Sequence, residues 1–168
     1  MLSKYKLNQL YFKDTQFANL MTRRIFNVLL IANPYDAFML EDDGRIDEKI
    51  FNEYTSLSLR YPPRFSQASS CEEALSQLAT ISFDLIICMP GTGDNDSFDV
   101  ARHIKSQYEH IPMVILTPFS HGITKRIANE DLSPFEYVFC WLGNTDLLVS
   151  IIKLIEDKMN LEHDVNEV

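Results

Sequence analysis

Short apolar runs alternate along this chain with segments of helical periodicity. Five such runs of five or six residues have the composition of strands that are buried on both faces, although the second is weaker than the others. They lie at residues 27–31, 64–68, 83–88, 113–117 and 137–141. Strands that alternate with helices predict βαβ units. Right-handed crossovers then give an α/β fold, a three-layer doubly wound sandwich around a five-stranded parallel sheet of strand order 2-1-3-4-5.

The segments between the runs carry the apolar stripes of helices that lie on a sheet. Ser70 and Glu73 have the spacing of a capping box, which predicts that a helix begins there. The predicted buried stripe of the first helix is Ile46, Ile50, Phe51, Tyr54 and Leu57. The apolar positions of the others are Ala74, Leu75, Leu78 and Ala79 in the second; Phe98, Val100, Ala101, Ile104 and Tyr108 in the third; Ile123, Ile127 and Ala128 in a short fourth; and Leu147, Leu148, Ile151, Ile152, Leu154, Ile155 and Met159 in the last.

Three parts of the chain follow from this pattern. Residues 25–160 form the predicted α/β domain. Residues 1–24 are an N-terminal extension that contains an extra helix over about residues 14–24. Residues 161–168 are an acidic tail or a linker to further domains.

Charge and composition exclude several classes of function. A net charge of −9 argues against nucleic-acid binding, which needs clustered Lys and Arg. No apolar run approaches the roughly 20 residues of a membrane-spanning helix, so we expect no membrane contact. Two of the three cysteines, Cys88 and Cys140, lie inside apolar runs and none has CxxC spacing. We therefore expect buried, reduced thiols and a cytoplasmic protein.

The order of the runs, with three local features, resembles the receiver domain of two-component response regulators. Residues 83–87 followed by Met89 and Pro90 are similar to the third strand and turn of that family, and Thr117 ends the fourth run where the family keeps a hydroxyl. The fifth run leads directly into a long apolar helix. The resemblance covers about residues 25–159 and implies the receiver or flavodoxin-like form of the fold.

The resemblance also implies where a phosphorylation site would lie. A receiver has two acidic residues after the first strand for Mg²⁺, a phosphoacceptor Asp after the third, a hydroxyl on the fourth and a Lys on the fifth. The corresponding positions here are Ala32 and Asn33, then Met89, Thr117 and Trp141. Only Thr117 keeps the required chemistry, so these are predicted to be degenerate phosphorylation-site positions.

Other polar and aromatic residues near the predicted strand ends are candidates for ligand or partner contacts. Asp36 follows the first run, and Asp94 and Asp96 lie in a Gly-rich turn after the third. That turn lacks the later Glu of an EF-hand loop, and Gly, Asn and Asp are common in ordinary turns. We expect no metal site, no cofactor and no catalytic residues. Phe119 and Trp141 are aromatic candidates for a protein contact.

A second resemblance concerns residues 34–48, 125–132 and 141–144. They are similar to the N-terminal receiver-like region of bacterial phosphoenolpyruvate synthase or pyruvate, phosphate dikinase-type proteins. This implies a regulatory segment that precedes the catalytic domains of a phosphotransferase. The chain itself would then carry no catalysis.

These observations predict a phosphorylation-independent pseudo-receiver, a module for regulation or for interaction with a partner. Its expected partner is another domain of the same chain or a separate protein, and a homodimer is possible. There are three alternatives: a small-ligand sensor that uses the strand-end crevice, a receiver with atypical metal or phosphate binding, and a flavin binder of flavodoxin type. Fold alone does not separate them.

Overall fold

The computed structural model describes residues 24–34, 46–57, 61–89, 96–118, 125, 128–129, 131–141 and 145–166. Within these ranges strands and helices alternate as far as the fourth strand; the next described element is the fifth strand, and the last helix follows it. The strands are β1 (Asn27–Ile31), β2 (Arg64–Ala68), β3 (Leu85–Cys88), β4 (Met113–Pro118) and β5 (Tyr137–Trp141), and the helices are α1 (Ile46–Ser56), α2 (Cys71–Thr80), α3 (Asp96–Gln107) and α4 (Thr145–Asn166).

All five strands form one sheet in the order β2-β1-β3-β4-β5, and every neighbouring pair is parallel. The predicted strand order and fold class are confirmed. Residues 14–23 of the predicted N-terminal helix and most of the short helix around Ile123 to Ala128 lie outside the described residues, and the described Arg24 is not helical. The division into residues 1–24, 25–160 and 161–168 stays a prediction.

Both faces of the three central strands, β1, β3 and β4, are buried, as their continuous apolar runs predict. One face packs against α2 and α3, with the Phe98 and Phe135 rings 6.4 Å apart. Right-handed connections from β1 to β2 and then to β3 put α1 on the opposite face from α2. There Ile50 and Tyr54 of α1 are buried. Strand residues on this second face that are fully buried are Val28, Leu30, Leu85, Ile87, Val114 and Leu116.

The start of α2 confirms the predicted capping box, with one difference. Ser70 is the N-cap, and its Oγ accepts a hydrogen bond from the Glu73 backbone N–H at 3.1 Å. The Glu73 carboxylate reaches back to Ser69, accepting from its N–H at 2.8 Å and its hydroxyl at 2.9 Å, where the usual motif has the cap residue itself. These bonds lower the pKa of Glu73.

The predicted buried stripe of α1 is partly wrong. Ile50 and Tyr54 are buried, but Phe51 and Leu57 are each 57% exposed. Phe51 follows Ile50 directly and therefore points about 100° away around the helix axis. The helix ends at Ser56, so its periodicity no longer applies to Leu57. The side chain of Ile46 is outside the described part.

The chain divides into two compact units, residues 25–150 and residues 1–24 with 151–168. The sheet belongs to the first unit. In the second, Glu156 of α4 is 3% exposed, and its Oε2 lies 3.0 Å from the Lys153 Nζ one turn earlier. A buried carboxylate needs such a partner, because burial without one is strongly unfavourable. None of the described helices is long and apolar enough to span a membrane.

Candidate functional site at the carboxyl edge of the sheet

The carboxyl ends of β1 and β3 lie side by side, since Ile31 pairs with Cys88. Ala32 follows β1 and donates its N–H to the Ala68 carbonyl at 3.1 Å. Met89 follows β3 and donates its N–H to the Ile31 carbonyl at 2.8 Å. Both backbone groups therefore extend the sheet ladder, and both side chains are buried at 5% exposure. The two positions hold packed apolar groups.

Thr117 supplies a hydroxyl to this edge from β4. Its side chain is 5% exposed, and its Oγ1 donates to the Phe139 carbonyl of β5 at 3.4 Å. That distance is long for an O–H···O bond. A buried hydroxyl is costly without a partner, and the β5 backbone provides one. The Thr117 hydroxyl thus points towards β5.

The register between β4 and β5 identifies a residue that sequence reasoning did not single out. Thr117 pairs with Cys140, and Pro118 pairs with Trp141. Residues in register on neighbouring strands point to the same face, so Cys140 is the β5 residue that shares the row of Thr117. Alignment of the two strands from their first residues would pair Thr117 with Trp141, so this row depends on the one-residue offset that the structure shows.

Cys140 is exposed, whereas Cys88 is buried. The prediction that both thiols are buried is therefore right for Cys88 and wrong for Cys140. The reason is that β3 lies at the centre of the sheet and β5 at its edge. Burial raises the pKa of the Cys88 thiol to about 12, so this thiol stays protonated and is not a nucleophile.

Aromatic side chains line one side of β5. Tyr137, Phe139 and Trp141 alternate along the strand, so they project to the same face, and each is partly exposed. The Tyr137 and Phe139 rings are 5.6 Å apart at an interplanar angle of 36°. An edge strand therefore presents three aromatic rings that are only partly covered. We call Tyr137, Phe139 and Trp141 the β5 aromatic row.

The predicted site residues fall into two groups. Those the structure brings to the carboxyl edge are Ala32, Asn33, Met89, Thr117 and Trp141, of which Asn33 and Trp141 are half-buried. Asp36, Asp94 and Phe119 lie outside the described residues. Asp96 is the first residue of α3, but its side chain is not described. The proposed ligand role of these acidic residues stays a prediction.

The described part of the edge has little polar chemistry. None of the side chains at positions 32, 33, 89, 117, 140 and 141 is a carboxylate or an ammonium group. Among the described residues no three His, Cys, Asp or Glu side chains are grouped so that they could hold a metal ion. The described edge offers a buried hydroxyl, an amide, an exposed thiol and apolar surface.

No family model matches the chain, and no curated protein matches it. Solved structures do. The receiver domain of a putative LuxO repressor protein from Vibrio parahaemolyticus has a TM-score of 0.58 at 18% identity, over 85% of this chain and 98% of that one. A CheY-like receiver domain from Methanospirillum hungatei has a TM-score of 0.59 at 12% identity, over 82% and 98%.

A longer protein is also similar over one of its parts. NtrX from Brucella abortus, solved in complex with ADP, has a TM-score of 0.61 at 12% identity, over 86% of this chain and 30% of that one. All these identities are low, so the similarity concerns the arrangement of the backbone. The chain has the fold of a response-regulator receiver domain.

Proposed function

We propose that this chain is a phosphorylation-independent, receiver-like module that regulates or binds another domain of the same protein or a separate protein. The observation that carries the proposal is Met89. This thioether is 5% exposed at the end of β3, where the resemblance implies a phosphoacceptor Asp. Met89 has no group that can attack phosphorus, and its backbone N–H is bonded to Ile31.

The surroundings of Met89 support the same proposal. A phosphoryl group carries about two negative charges, so a site that accepts it needs cations to offset the repulsion. Ala32 and Asn33 provide no carboxylate for Mg²⁺, and neither Cys140 nor Trp141 provides a positive charge. Thr117 keeps the hydroxyl that the resemblance implies, and this hydroxyl is directed to the Phe139 carbonyl.

Incubation with acetyl phosphate and Mg²⁺, followed by intact-protein mass spectrometry, tests the phosphorylation part. We expect no phosphoryl adduct, while a receiver that keeps its Asp is modified under the same conditions. Beryllofluoride with Mg²⁺ is expected to leave the melting temperature unchanged. Stoichiometric modification, or a large thermal shift, contradicts the proposal. In that case the Thr117→Val variant tells whether the phosphoryl or beryllofluoride group binds at the carboxyl edge of the sheet. Only a site at this edge loses a contact with the Thr117 hydroxyl.

The β5 aromatic row is the surface that we propose for the partner. Aromatic residues are enriched at interfaces, and Trp and Tyr in particular are enriched among the residues that dominate binding energy. A Trp at the end of an edge strand can insert into a pocket of a partner without rearrangement of the sheet. The partner contact therefore centres on Trp141, with Phe139 and Tyr137 beside it.

We propose further that the module belongs to a phosphoenolpyruvate synthase-like protein, on the resemblance of residues 34–48, 125–132 and 141–144. The reading frame is then expected to continue past Val168 into catalytic domains. The catalytic part, produced separately, should bind this chain in calorimetry. Trp141→Ala should weaken binding at least tenfold, as expected for an interface anchor. Phe51→Ala on the exposed side of α1 is the matched control and should bind normally.

Two results would redirect the proposal. A reading frame that ends at Val168 would contradict the proposal that the module belongs to a phosphotransferase. The proposal that it binds a separate protein would then remain. A thermal shift with one member of a nucleotide or metabolite panel, and no effect of Trp141→Ala on any partner, favours the small-ligand sensor.

A further inference from the structure

We draw no further inference here: the strongest candidate, the group of exposed apolar side chains Phe26, Leu57 and Tyr61 near the amino ends of β1 and β2, is a surface for which nothing in the structure shows what covers it.

Discussion

Asp84 ties the beginning of β1 to the beginning of β3 through one carboxylate oxygen. Its Oδ2 accepts hydrogen bonds from the backbone N–H of Phe26 at 2.8 Å and of Asn27 at 3.0 Å. The Asn27 side chain donates in turn to the Ser82 carbonyl at 3.2 Å. Asp84, which directly precedes β3, therefore has a structural role at the amino edge of the sheet, opposite the candidate site.

Asp84→Ala is expected to lower the free energy of unfolding by about 2 kcal/mol, because two backbone N–H groups, of which that of Asn27 is partly buried, lose a charged acceptor. Urea denaturation followed by circular dichroism measures the change. Asp99→Ala is the control, since Asp99 pairs with Arg102 at 3.1 Å on an exposed helix surface, where such pairs contribute little. An equal change in the free energy of unfolding for both substitutions would show that the Asp84 hydrogen bonds stabilise the fold no more than an exposed ion pair does.

Glu53 of α1 lies beside Asp146 at the start of α4, and this contact should make stability depend on pH. Repulsion from Asp146 raises the pKa of Glu53, with smaller contributions from burial and a shared hydrogen bond. A raised carboxyl pKa means that the ionised group disfavours the folded state at neutral pH. Glu53→Gln should therefore raise the melting temperature at pH 7. The gain should shrink as the pH falls through the pKa of Glu53 in the folded protein and vanish below its pKa in the unfolded chain.

Thermal melts of Glu53→Gln and the wild-type protein between pH 3 and pH 8 test this expectation. Glu48→Gln on the same helix is the control and should give no gain, because Glu48 is exposed and lies more than one helical turn from Glu53. A loss of stability in Glu53→Gln at pH 7 would mean that the pair is attractive and shares a proton there.

At the scale of elements, α2 depends on the groups that cap its first turn. Ser70→Ala removes the acceptor of the Glu73 N–H and should cost about 1 kcal/mol. Ser76→Ala in the exposed middle of the same helix is the control and should be nearly neutral. Urea denaturation measures the free energy of unfolding of both variants. An equal loss of stability in both would show that the loss in Ser70→Ala does not come from the cap.

The Glu73 carboxylate adds a pH dependence of opposite sign to that of Glu53. Hydrogen bonds from Ser69 lower the pKa of Glu73, so its contribution to stability is present above its pKa in the unfolded chain. That contribution is lost as the pH falls through the lower pKa of the folded protein. Glu73→Gln should thus be less stable than wild type at pH 7 and equal to it in strong acid. A constant difference across this range would contradict the assignment.

Most elements could be predicted because their patterns are local. The runs that became β1 and β3 are almost wholly apolar, and Ser70 and Glu73 mark the start of α2. The errors have two causes. Cys140 lies in an apolar run but is exposed because its strand is at the edge of the sheet. Phe51 is apolar but is exposed because it points about 100° away from Ile50 around the axis of α1.

The candidate site could be predicted only in part. Comparison of strand ends located Ala32, Met89 and Thr117 at one edge, because parallel strands bring their carboxyl ends together. The pairing of Thr117 with Cys140 depends on the register between β4 and β5, which tertiary packing sets. No pattern in the sequence indicates that the Thr117 hydroxyl turns to the Phe139 carbonyl.

At the scale of the whole molecule, the reaction rates of the Cys88 and Cys140 thiols report how often the sheet opens. With a pKa of about 12, on the order of one in ten thousand folded Cys88 thiols is ionised at pH 8, against roughly a quarter in an unfolded chain. Cys140 on the edge strand should react quickly with a thiol-specific alkylating reagent. Cys88 should react only when β3 separates from its neighbours.

Mass spectrometry of proteolytic fragments over a time course of alkylation measures both rates. Dividing the Cys88 rate by its rate in denaturant gives the fraction of time that the centre of the sheet is open, and hence a local unfolding free energy. Similar rates at the two thiols would contradict the burial of Cys88. The same experiment can be repeated with a bound partner. If alkylation of Cys140 becomes slower while the slow rate of Cys88 stays unchanged, the partner covers the β5 edge of the sheet.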